Sequence, residues 1–88
     1  MRIRVRRTGG FAGIERSAEV DTSGRPDAHE WRALAEKAVS DGRHLPPVGV
    51  PDGFSYEITV DGRTVYAADP RLTEEQRQLI TRVLKEGA

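Results

Sequence analysis

Residues 54–68 read FSYEITVDGRTVYAA, two alternating runs on either side of Asp61 and Gly62. An Asp-Gly pair between such runs is the strongest short-range signal for a β-hairpin with a two-residue turn. That turn forces the register. Ile58 falls opposite Val65 and Tyr56 opposite Ala67 on one face, while Glu57 meets Tyr66 and Thr59 meets Thr64 on the other. One face is apolar and the other polar, so the hairpin is one half of a sheet that covers a core on a single side.

Towards the C-terminus, residues 69–71 (DPR) break the strand, and Thr73 and Gln76 stand at capping-box spacing. Leu79, Ile80, Val83 and Leu84 then supply the apolar face of a helix that stops at Gly87. Towards the N-terminus, residues 43–53 (RHLPPVGVPDG) hold three prolines and read as a loop. Before it, Trp31, Leu34, Ala35 and Ala38 recur at helical spacing, which predicts a helix from an N-cap at Asp27 to about Ser40. Residues 1–7 alternate, with Met1, Ile3 and Val5 on one side and Arg2, Arg4 and Arg6 on the other. Ile14, Ala18 and Val20 continue the pattern, with Glu15, Ser17, Glu19 and Asp21 outward. The order β-β-α-β-β-α predicts an α+β domain over residues 1–88: a four-stranded antiparallel sheet with two helices packed on one face. The open face carries Arg2, Arg4, Arg6, Glu15, Glu57 and Tyr66, polar enough to meet water.

Composition narrows the function. Eighty-eight residues bury a modest core, and a catalytic cleft would compete with that core for the same few apolar residues. Fourteen basic and fourteen acidic residues cancel, which argues against a nucleic-acid binder. The charge is nevertheless segregated: residues 1–16 hold five arginines against Glu15. No cysteine is present, so disulfides, thiolate metal sites and thiol nucleophiles are ruled out. The basic N-terminus is followed by no apolar run, so neither a secretory signal nor a membrane span is expected, and the protein reads as cytoplasmic.

Catalytic patterns do not assemble. His29 and Glu30 begin a zinc-protease helix signature, but Ala33 stands where the second histidine belongs. His44 lies alone in the proline-rich loop, and the serines have no base beside them. Trp31, Phe54 and Tyr56 lie on the apolar stripes of their elements and read as core. The stretch TGGFAG, residues 8–13, joins two strands, so it is not a phosphate loop. Its three glycines allow close backbone approaches. Phe11 in their midst has two readings: a lid folded over the sheet end, or an aromatic anchor presented to a protein partner.

The residues MRIRVRRTGGFAGIERSAEVDT at 1–22, followed by PDGFSYEITVDGR at 51–63, resemble the emfourin family, protein inhibitors of thermolysin-like zinc metalloproteases of the protealysin group. The resemblance runs over nearly the whole chain and is densest in residues 1–22. It implies a non-enzymatic inhibitor, without a cofactor or metal of its own, whose partner is a thermolysin-like metalloprotease. Such an inhibitor lays backbone into the active-site cleft, and a strand does so by pairing with the enzyme's own strand edge. On that reading the partner-binding residues are Met1, Arg2, Ile3, Arg4, Thr8, Gly9, Gly10, Phe11, Ala12 and Gly13, with the arginines steering association. Two ends of the strand compete for the target's zinc. The α-amino group and carbonyl of Met1 could chelate it. Alternatively, Ile3 or Phe11 fills the specificity pocket and the zinc keeps its water. A monomer is expected for the unbound protein. The alternative function is a non-inhibitory protein-interaction domain that uses the same surface.

Overall fold

The computed structural model describes residues 1–9, 15–45, 53–69 and 71–87. Its elements are β1 (Arg2–Gly9), β2 (Arg16–Asp21), α1 (Ala28–Asp41), β3 (Phe54–Val60), β4 (Arg63–Ala68) and α2 (Glu74–Glu86). The fold is α+β, with the order β-β-α-β-β-α expected from the sequence. The four strands form one antiparallel sheet in the order β2-β1-β3-β4.

The hairpin of β3 and β4 has the register its turn dictates: Tyr56 faces Ala67, Glu57 Tyr66, Ile58 Val65 and Thr59 Thr64. Asp61 and Gly62 both take positive φ, 48° and 83°, and the Thr59 and Thr64 hydroxyls meet at 2.9 Å on the polar face. On the other face Ile3, Val5, Ala18, Val20, Tyr56, Ile58 and Val65 are buried beneath both helices. The helices contribute Trp31, Ala35, Ala38 and Val39 from α1, and Leu79, Ile80 and Val83 from α2. Phe54 and Leu34 pack at the margin of this cluster.

Helix α2 begins with the expected capping box. The Thr73 hydroxyl accepts from the Gln76 backbone N–H at 3.2 Å, and the Gln76 side chain accepts from the Thr73 N–H at 3.0 Å. Gln76 also donates to the Ala38 carbonyl at 3.3 Å, so one buried amide caps its own helix and ties it to α1. Asp27 departs from expectation. It occupies the N-cap position of α1 but makes no side-chain cap bond. Its carboxylate turns to the Trp31 indole N–H at 3.2 Å, Arg25 at 3.3 Å and Arg82 at 3.1 Å. Charge-assisted bonds to two guanidinium groups outcompete one neutral backbone donor.

The proline-rich loop also differs from its sequence reading. Arg43 exchanges both backbone hydrogen bonds with Tyr66, at 2.9 and 2.7 Å, and so pairs with the outer edge of β4. Prolines forbid pairing only at their own positions, and the first of them is three residues further on. At the opposite edge, Gly87 packs so closely on β2 that a Cβ there would stand 2.9 Å from the Glu19 carbonyl oxygen.

Candidate partner-binding site

The candidate residues lie along and beyond β1, where strand alternation sorts them. Arg2, Arg4, Arg6 and Thr8 fall on the open face; Ile3, Val5 and Arg7 fall on the helix-covered face. The run of arginines is therefore split between two environments. On the open face Arg6 makes a two-bond contact with Glu15, at 2.8 and 3.0 Å, and approaches Glu57 at 3.9 Å. Its guanidinium holds the Glu15 carboxyl below the usual carboxylate range. Arg2 reaches Glu19 at 3.8 Å, and its backbone N–H donates to the Asp61 carboxylate at 2.9 Å. Arg4 is exposed and makes no ion pair among the described residues.

Three expectations for this strand need correction. Ile3 is fully buried between Val20 of β2 and Val60 of β3, so its side chain is unavailable to a partner. The strand cannot pair with an enzyme's edge, because β2 and β3 already use both of its hydrogen-bonding sides. The carbonyl of Met1 is also engaged: it accepts from the Thr22 N–H at 2.8 Å and the Thr22 hydroxyl at 3.2 Å. Both lone pairs are occupied, which removes the oxygen that a chelate through residue 1 would need.

The remaining residues separate by position. Met1, half-buried, lies at one end of β1 beside the Asp61-Gly62 turn, and Thr8 and Gly9 lie at the other beside Phe54. Eight residues of extended chain set these ends about 26 Å apart, so they cannot both reach one zinc ion. Gly9 has φ +98°, and a Cβ there would come within 2.9 Å of the Gly53 carbonyl oxygen. Both facts demand glycine where the chain leaves the sheet for the loop. Gly10, Phe11, Ala12 and Gly13 lie outside the described residues.

Two clusters went unnoticed in the sequence. At the Gly9 end, Arg7 lies 4.4 Å from the centroid of the Phe54 ring, and Tyr56 beside it donates to Asp69 at 3.5 Å. Burial, reinforced by the Asp69 charge, pushes the Tyr56 hydroxyl above its ordinary pKa. At the other end, Trp31 is flanked by Arg25 and Arg82, 5.5 and 4.2 Å from its ring, and Glu86 joins both arginines at 2.8 and 3.6 Å. Burial is the largest single influence on the Asp27 carboxyl at the centre and pushes it up, but the hydrogen bond and charge of Arg25, together with the Trp31 indole N–H, outweigh it in sum and keep that carboxyl below its ordinary range. This cluster fastens α1 to α2. Strand parity alone would have found Arg7, the one N-terminal arginine before the loop on an odd position. His29 and His44 are both exposed. Among the described residues no three histidines or carboxylates stand close enough to hold a metal ion, and no helix is long and apolar enough to cross a membrane.

The described residues form a small α+β scaffold whose central, arginine-rich strand leads into a glycine-rich stretch of sequence. The chain belongs to the emfourin family: residues 5–84 match that family's model, and emfourin is the inhibitor family of protealysin-group metalloproteases. No curated protein and no solved structure is significantly similar to the chain.

Proposed function

We propose that this protein inhibits a thermolysin-like zinc metalloprotease by inserting the Gly9–Gly13 end of β1 into the active-site cleft. The family match over residues 5–84 carries the reading. The geometry supports the choice of end. Ile3 is in the core, the Met1 carbonyl is spoken for, and neither hydrogen-bonding side of β1 is open. The strand therefore acts as a rigid stem, held on both sides, that projects the loop. Rigidity limits the entropy lost on binding, and the glycines let backbone approach the cleft wall. Phe11 is the anchor for an apolar subsite. The enzyme keeps its own zinc chemistry; the inhibitor supplies no catalytic group and excludes substrate by occupancy, as a cytoplasmic monomer.

Two variants test which end enters. Two residues added before Met1 leave the inhibition constant unchanged, whereas Phe11→Ala raises it about 5- to 150-fold, as loss of a 1–3 kcal/mol anchor does. A large loss from the extension together with a silent Phe11→Ala refutes insertion of the loop.

A further inference from the structure

Arg6 and Arg7 are neighbours in sequence with opposite circumstances. Arg6 meets two carboxylates on the open face. Arg7 faces the helix side, stacks on Phe54, and makes no ion pair or side-chain hydrogen bond among the described residues. Its Nε is buried without a partner among the described residues. Directly across the strand pair stands Arg16, a like charge on the same face, and it turns away to donate to the Leu84 carbonyl at 2.7 Å. Arg77 adds a third cation close enough to act, with Arg7, on the Tyr56 hydroxyl. Asp69 is the acid nearest that hydroxyl, and it forms no ion pair with Arg7 within 4 Å. Among the described residues the cluster thus holds three arginines against one carboxylate.

Directly opposed like charges destabilise a sheet, and Arg7, half-buried and still reachable from solvent, lacks a counter-charge among the described residues. A partner that arrives with the target provides one. We propose that Arg7 receives a carboxylate from the protease, an aspartate or glutamate side chain at the rim of the active-site cleft. The inference rests on the inhibitor reading above. Position favours it: Arg7 precedes Gly9 by two residues, about 7 Å along the strand, so a rim that meets the loop stands next to the guanidinium. Chemistry favours it as well. The planar group, fixed over the Phe54 ring, can offer a carboxylate two parallel N–H bonds, a geometry a lysine cannot reproduce.

The test measures inhibition of thermolysin, or of whichever thermolysin-like enzyme the wild-type chain inhibits, by Arg7→Gln, Arg7→Lys and Asp69→Asn, with Trp31 fluorescence reporting the fold from the far end of the domain. Arg7→Gln is expected to raise the inhibition constant at least 30-fold, as loss of one partner of a desolvated charge pair does. Arg7→Lys should recover little of that loss. A folded Arg7→Gln within threefold of wild type overturns the proposal. So does an Arg7→Lys of wild-type potency, the decisive result if Arg7→Gln does not fold. Equal, non-additive losses of melting temperature in Arg7→Gln and Asp69→Asn would also overturn it, by identifying Asp69 as an internal counter-ion; independent losses are expected. Failure of the wild-type chain to inhibit any such enzyme is a separate outcome that removes the inhibitor reading, and this proposal with it.

Discussion

Ile3→Ala separates the structural residues of β1 from those that face a partner. Ile3 is fully buried, opposite Val20 of the core cluster on one side and Val60, half-buried and packed against that cluster, on the other. Truncation removes three carbons and leaves a cavity that two flanking strands cannot close, so the expected loss is about 3 kcal/mol, within the range for such changes. An 88-residue domain unfolds with an entropy of about 185 cal/mol/K, which converts that loss to a fall of about 16 °C in melting temperature. The assay pairs thermal melts followed by Trp31 fluorescence with inhibition measured at a temperature where both proteins are folded. The inhibition constant should then match wild type within about twofold, since surface effects of a core truncation are small. Arg4→Ala, one residue away on the open face, should shift the melt by no more than about 3 °C. A small thermal shift in Ile3→Ala combined with a tenfold or greater loss of inhibition would refute the burial argument and return Ile3 to the interface.

Asp27→Asn should lower the melting temperature at neutral pH, because Arg25 and Arg82 lose one of the two counter-charges they share, Glu86 being the other. The folded Asp27 carboxyl titrates below its unfolded value of about 3.9, so its contribution is complete above that pH and disappears as pH falls through the folded value. Melts from pH 7 to 2 should show wild type and variant converging at the acid end, and a pH-independent gap would contradict the network. Thr73→Ala breaks the capping box and should cost about 1 kcal/mol, or about 5 °C, in a calorimetric melt. Gly9→Ala should destabilise more than Gly62→Ala in denaturant titrations. Both positions have positive φ, but only at Gly9 does a Cβ also meet backbone, the Gly53 carbonyl oxygen.

The fold was legible wherever short-range geometry leaves no choice. The Asp61-Gly62 turn fixed four cross-strand pairs, and alternation placed Ile3, Val5, Ala18 and Val20 on the buried face before any strand order was known. The position of β1 within the sheet was not legible, because a period-2 pattern is the same at an edge and in the interior. That gap is what made pairing with an enzyme edge look available. The diversion of Asp27 was hidden for a related reason: Arg82 lies 55 residues away in sequence, and a local cap was the nearest use for its carboxylate. The proposed site rests on composition more than on geometry. TGGFAG marked the loop and MRIRVRR the basic stem, but the contrast between Arg6 and Arg7 depends on which face each occupies and what the third strand brings there.

The central claim, that this chain occupies the active-site cleft of a thermolysin-like metalloprotease, is tested most directly by titrating such an enzyme with the purified protein while varying a peptide substrate. The account predicts competitive inhibition: the apparent KM rises with inhibitor concentration, Vmax is unchanged, and binding saturates at one chain per active site. Undiminished hydrolysis with a saturating excess of the chain across several such enzymes, or a fall in Vmax at constant KM, would contradict it.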